Sequence, residues 1–314
     1  MLLLDRVRAE VVAVRWTVTG AGGMLGTDLV ALLRSRGEEV RALDRAGLDV
    51  TDAAAVDAAV RGADVVVNAA AYTAVDAAEG DEPGAFAVNA VGAQHVARAA
   101  AARGARLVHV STDYVFDGVA PAGPGSPYAE DAPLAPRSAY GRSKAAGEWA
   151  VRSEHPGALV VRTAWLYGAH GTCFPRTIAR LARERGSVDV VDDQVGQPTW
   201  TVDLADLVVR LVGAGAPGGA YHGTAQGQAS WWELAREVVA TVGIDPESVR
   251  PTSSAAFARP APRPAWSVLG HDALRRHGVE PVGDWRERWR AAAPLVLAGL
   301  EDGPGPHVSS SDSR

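Results

Sequence analysis

Short apolar runs alternate, through the first half of the chain, with longer stretches whose apolar positions recur at helical spacing. Residues 15–20 read as a strand that ends in a glycine-rich turn, and 28–36 then reads as an amphipathic helix. Residues 39–44 form a second strand, 52–61 a second helix and 63–69 a third strand, the alternation of a parallel sheet with crossover helices. A helix over 84–103, a strand over 106–111, a Pro- and Gly-rich loop over 118–136, a helix around 140–150 and a strand over 158–162 continue the series. Beyond residue 171 the alternation loosens into a helix ending near 185, a strand over 188–191, and helices over 203–212 and 231–242, the last with Ser230 as its cap. The segment 259–266 reads as a loop inside a folded unit, because apolar helical patterning resumes after it.

This pattern predicts an α/β protein. A Rossmann-type doubly wound parallel sheet over 14–168 would bind NAD(P), and a smaller, partly interleaved C-terminal unit over 169–301 would be mainly substrate-binding, with some segments returning to the first. Residues 1–13 read as an N-terminal extension, and 302–314, rich in Gly, Pro and Ser, as a disordered tail.

With 314 residues, 47% of them apolar, the chain can bury a sizeable core. A net charge of −6 with no basic run argues against a nucleic-acid partner. The single cysteine, Cys173, rules out an internal disulfide or a multi-cysteine metal site and fits a reducing cytoplasm. The histidines show no ligand spacing, so no metal is assigned. No apolar run approaches the ~20 residues of a membrane span, which predicts a cytoplasmic protein with no membrane partner.

The turn Gly20-Ala-Gly-Gly23-Met24-Leu25-Gly26 is placed to bind a dinucleotide. Its glycines allow a tight turn, close approach to a pyrophosphate and close packing of helix on strand, and the helix start at Met24 and Leu25 offers free N–H groups to the anion. Asp44 ends the second strand, where a carboxylate can accept the adenosine ribose hydroxyls. Arg45 follows and can meet a 2′-phosphate, so NADH and NADPH both remain open. Asp49 and Val50 can border the adenine. Ala69-Ala70-Ala71, after the third strand, is small enough to pass against the cofactor, although a plain turn with helix-favouring alanines would read the same way.

Lys144 is the only lysine beside thirty arginines, and it follows Tyr140 by four residues. A position that keeps an amine where arginine is used everywhere else calls for a compact ammonium with a tunable pKa. On a helix the two side chains share one face and can act on one ligand. A phenol titrates near ~10, and a neighbouring cation is expected to bring it toward the working range, so that the pair can pass a proton to or from a carbonyl or alcohol oxygen.

Several segments together resemble the extended short-chain dehydrogenase/reductases and, among them, the dTDP-4-dehydrorhamnose reductase family. They are the glycine turn over 20–26, Asn68-Ala-Ala-Ala-Tyr-Thr-Ala-Val-Asp76, Val108-His-Val-Ser-Thr-Asp-Tyr-Val-Phe-Asp-Gly118, Tyr140-Gly-Arg-Ser-Lys144, Arg162-Thr-Ala-Trp-Leu-Tyr-Gly168 and Val191-Asp-Asp-Gln-Val-Gly-Gln-Pro-Thr199. The resemblance implies that Tyr140 donates the proton, that Lys144 supports it and holds the nicotinamide ribose, and that Thr112 bonds the sugar carbonyl. It further implies that Asp113 and Trp165 contact a dTDP-4-keto-sugar and that Ala71, Tyr72 and Thr73 line the cofactor, NADPH or NADH. Tyr114 stands where the related dehydratases carry glutamate, so elimination of water is not expected. Thr172-Cys173-Phe174 departs from the family's Asn before Phe, and Cys173 could touch the substrate edge. The implied activity is reduction of dTDP-4-dehydro-L-rhamnose by a monomer or homodimer. The alternatives are a related dTDP-keto-sugar reductase of antibiotic biosynthesis, of the dihydrostreptose type, and a non-catalytic NAD(P)-binding regulatory protein.

Overall fold

The computed structural model describes residues 13–300, so residues 1–12 of the expected extension and the whole expected tail lie outside the described residues. Five strands rise in chain order: β1 (Arg15–Thr19), β2 (Glu39–Leu43), β3 (Val65–Asn68), β4 (Arg106–Thr112) and β5 (Leu159–Thr163). With the strand Gly219–His222 they make one parallel sheet, ordered Gly219–His222, β5, β4, β3, β1, β2. The sheet is thus of the doubly wound, Rossmann type. Side chains alternate across it. Val65, Val67 and Val108 join a core with Leu29 and Leu33 on one face, while Val66 and Leu107 join Val56, Val96 and Val151 on the other.

The helices that cover the sheet are α1 (Met24–Ser35), α2 (Ala53–Ala59), α3 (Val75–Ala78), α4 (Glu82–Phe86), α5 (Ala93–Ala101) and α6 (Ala139–Glu154). Helix α1 starts at Met24, inside the glycine-rich segment and directly after Gly23, four residues earlier than its polar pattern suggests. The helix expected over 84–103 is interrupted. A wider π turn, Ala87–Gly92, separates α4 from α5. Within it Asn89 bonds both backbone groups of Tyr72 and the Ser143 hydroxyl, a functional use typical of such turns.

From the second half, the helix Thr201–Gly213 contributes Leu204, Leu207 and Leu211 to the core beside α1. A smaller layer is built mainly from the helices Phe174–Arg185, Trp231–Thr241 and Trp285–Val296 and the parallel strand pair Val188–Val191 and Val249–Thr252. Trp285 and Trp289 are buried in it with their indole N–H groups bonded to the Gln228 carbonyl and the Thr241 hydroxyl. No helix among the described residues is long and apolar enough to cross a membrane.

Candidate active site

A cavity of about 1220 Å³ opens at the C-terminal ends of the parallel strands, where ligands of such sheets bind. It is bounded at one end by the glycine turn. Gly20 takes φ +70°, and a Cβ there would stand 2.6 Å from the Ala69 carbonyl carbon, so the turn runs against the end of β3. A Cβ at Gly26 would collide with the Gly20 carbonyl oxygen, which is why α1 can sit so close to β1. No side chain caps α1 at Gly23, which leaves the first N–H groups of the helix, at Met24, Leu25 and Gly26, without intrahelical partners.

Asp44 follows β2. Its Oδ1 accepts the N–H groups of Ala46 and Gly47 at 3.0 and 2.9 Å, so one oxygen fixes its own turn while Oδ2 lies toward Gly22. Arg45 beside it is exposed. Asp49 accepts the N–H and the hydroxyl of Thr51, and these bonds hold its carboxyl below the ordinary range. Val50 is buried beneath. Ala71, Tyr72 and Thr73 line the same wall, with Tyr72 pinned by Asn89.

At the far end stand residues from β4 and α6. Ser138 caps α6 by accepting the Gly141 N–H at 3.0 Å. The helix lies tight on its neighbour because Gly147 packs against the Asn89 carbonyl. Lys144 is 2% exposed and donates from Nζ to the Val110 carbonyl at 2.6 Å. Burial lowers its pKa to about 8, with the Glu148 charge opposing. The phenol of Tyr140 differs from the expectation: burial pushes it up to about 12, with the Thr112 hydroxyl opposing and the Asp113 charge adding to the rise. Burial sets the direction of this shift, and the Lys144 ammonium, which donates to the Val110 carbonyl, does not reverse it. Tyr140 is therefore a neutral phenol at working pH.

Thr112 donates its hydroxyl to Asp113 Oδ1 at 2.9 Å. Burial raises the Asp113 pKa to about 6, and its Oδ2 is buried without a hydrogen-bond partner among the described residues. Trp165, at φ +48°, is the one non-glycine residue in the left-handed region among the described residues. Its ring stacks on Trp231 at 3.6 Å and 6°, and a Cβ on Gly196 would stand 2.5 Å from its Cε2. Apart from Cys173, every residue singled out for the cofactor, the chemistry or the substrate lines this one cavity.

Other groups here escape the sequence patterns. His170 lines the cavity with Nε2 3.4 Å from Asp28 Oδ1, and Asp28 also accepts from the Thr201 hydroxyl, which ties the loop to α1. Asn89, Ser143, Glu148 and Arg162 are buried supports; an arginine inside the apolar run of β5 was the one signal for the last. Cys173 is buried against the Gly168 carbonyl, while its neighbour Thr172 lines the cavity. Among the described residues no group of His, Cys, Asp and Glu is placed to hold a metal ion.

The family of the RmlD substrate binding domain matches residues 14–296. The chain is 51% identical, over 90% of its length and 96% of the relative's, to a Streptomyces antibioticus protein named probable dTDP-4,6-dihydroxy-2-methyloxan-3-one 4-ketoreductase. To the dTDP-4-dehydrorhamnose reductase of Streptomyces griseus it is 49% identical, over 93% of this chain and 97% of the relative. Among solved structures, dTDP-4-dehydrorhamnose reductase from Bacillus anthracis in complex with NADP superposes with a TM-score of 0.84 at 36% identity, over 89% of this chain and 98% of that one.

Proposed function

The chain belongs to the family of the RmlD substrate binding domain, and on that premise we propose that it is a reductase that uses NADPH to reduce the 4-keto group of dTDP-4-dehydro-L-rhamnose, giving dTDP-L-rhamnose. The observation that carries this reading is the meeting of Thr112, Tyr140 and Lys144 in the same cavity as the glycine turn.

Bound NADPH supplies the hydride. The turn at Gly20, Gly23 and Gly26 receives the pyrophosphate on the free N–H groups of Met24, Leu25 and Gly26. Asp44 Oδ2 is left to accept a ribose hydroxyl, and Arg45, exposed beside it, meets a 2′-phosphate. Asp49 and Val50 border the adenine, and Ala71, Tyr72 and Thr73 form the wall beside the cofactor.

Lys144 donates to the nicotinamide ribose as well as to the Val110 carbonyl. As the substrate carbonyl oxygen gains negative charge, the Tyr140 hydroxyl stabilises it, and the Thr112 hydroxyl does so by turning from Asp113 Oδ1 to the substrate, in a site where burial strengthens each hydrogen bond. Tyr140 then transfers its proton to that oxygen. Tyr140 is protonated at working pH, the form that this step consumes. Asp113 and Trp165 contact the sugar.

The name of the Streptomyces antibioticus relative favours a second reading, a related dTDP-4-keto-sugar reductase with the same machinery and another sugar. A hydroxyl more or less on the sugar is discriminated by a few pocket contacts. The test is oxidation of NADPH and NADH with dTDP-4-dehydro-L-rhamnose and with a second dTDP-4-keto-sugar, with the products identified by NMR. Turnover of dehydrorhamnose to dTDP-L-rhamnose supports the first reading, turnover of the other sugar alone supports the second, and turnover of neither refutes both.

A further inference from the structure

Arg162 interrupts the apolar run of β5 and is 1% exposed, and its charge is met by Glu148 of α6, which is 0% exposed. The two join side-on, Nε to Oε1 and Nη2 to Oε2, both at 2.8 Å. The Ser111 hydroxyl adds a third donor to Oε1 at 2.7 Å. From its other nitrogen, Arg162 donates to the Glu130 carbonyl at 2.9 Å, and Glu130 in turn accepts the Ala273 N–H through Oε1 at 2.8 Å. One buried carboxylate is therefore bonded to the residue before Thr112 on β4 and to an arginine three residues before Trp165 on β5. It stands one helical turn after Lys144.

Stability alone is a weak reason for such a pair. Desolvating two charges offsets much of their attraction, and apolar side chains of similar size often serve as well. What the location adds is charge next to Lys144. Along α6, Tyr140 stands one turn before Lys144 and Glu148 one turn after it, and His109 of β4 lies near enough to feel the ammonium charge. Burial keeps Tyr140 and His109 neutral, so Glu148 is the anion among them.

We propose that Glu148, held by Arg162, is a positioning residue of this active site: it fixes the helix bearing Tyr140 and Lys144 against β4, which bears Thr112, and β5, which leads to Trp165, and it balances the Lys144 ammonium. The catalytic half of this proposal rests on the reductase reading; the electrostatic half does not.

Because Lys144 is the only lysine, protein grown on lysine labelled with carbon-13 at the ε position gives one side-chain resonance, and its titration reads this ammonium alone. The expected midpoint is about 8 in the native chain. In Glu148→Gln it falls by about one unit, and kcat with keto-sugar and NADPH at neutral pH falls at least about tenfold with KM for NADPH changed much less. A second variant, Glu148→Gln/Arg162→Met, removes both charges. Its melting temperature is expected to return toward the native value while the Lys144 midpoint and kcat stay low. If the single variant fails to fold, the double variant carries the same comparison. An unmoved Lys144 midpoint, or a kcat that recovers together with the melting temperature, overturns the proposal. If the native chain binds NADPH and Glu148→Gln shifts Lys144 while no keto-sugar is turned over, the reductase reading fails and the electrostatic assignment stands.

Discussion

Substituting Gly196 by alanine probes whether the unusual placement of Trp165 matters to the substrate. Gly196 has no left-handed φ, so alanine costs the backbone nothing there. Its Cβ, however, would stand 2.5 Å from Trp165 Cε2 and 2.7 Å from Ser267 Oγ, short of ordinary carbon contact by about 1 Å at the ring. The ring's plane is fixed by Trp231 at 3.6 Å and its backbone already sits in a sparsely populated region, so little slack exists to absorb the overlap. Overpacking of this kind costs about 1–3 kcal/mol. Paid in lost sugar contacts, that is a fall of about 5- to 150-fold in kcat/KM for the keto-sugar, with NADPH affinity unchanged. Gly213→Ala is the control, since nothing stands within 4 Å of its Cβ and its φ is ordinary; there alanine is neutral or stabilising by up to about 1 kcal/mol. Steady-state kinetics on both variants, with NADPH binding by fluorescence, decide the matter. If Gly196→Ala keeps kcat/KM for the sugar within about twofold of native, the orientation of Trp165 is irrelevant and the reasoning is refuted.

Tyr140→Phe removes the proposed proton donor, and kcat is expected to drop by about a hundredfold or more with cofactor affinity retained; native turnover in that variant would place the acid elsewhere. The pH dependence of kcat/KM follows the free enzyme, and Lys144 acts as an ammonium, so activity is present below its pKa and lost as pH rises through about 8. Tyr140, raised to about 12, adds no separate alkaline limb within the assay range, and a profile flat to about pH 10 would contradict the role given to Lys144. Gly26→Ala drives a Cβ into the Gly20 carbonyl, and calorimetry should find NADPH affinity down about tenfold or more; an unchanged affinity would separate the turn from the pyrophosphate.

The sheet was legible because its inner strands, such as β3, are buried on both faces and carry short apolar runs, while the edge strand β2 is largely exposed, and the glycine turn was legible because its spacing serves a backbone purpose. Tyr140 and Lys144 stood out through an unusual composition, and the structure places them in one cavity with Thr112, Asp113 and Trp165. What stayed hidden depends on contacts between distant segments. The π turn at 87–92 carries the same apolar alternation as a plain helix, and only the bonds of Asn89 to Tyr72 and Ser143 reveal its use. The direction of the Tyr140 shift could not be read from a spacing of four, since it follows from burial, with the Asp113 charge adding to the rise. Glu148 looked like ordinary helix material, because its partner lies on another element.

The sixth strand also has a consequence for how the chain can come apart. Gly219–His222 pairs along β5 from Leu159 to Arg162, and the helix just before it, Thr201–Gly213, lays Leu204 and Leu207 into the core beside α1. A fragment ending near residue 168 would contain every cofactor contact named above, yet it would expose an open strand edge and a bare apolar face, both invitations to aggregate. The nucleotide-binding half is therefore not a portable cassette: during synthesis its sheet waits for a segment made more than fifty residues later, and grafting the two halves between relatives would have to carry Gly219–His222 with the first.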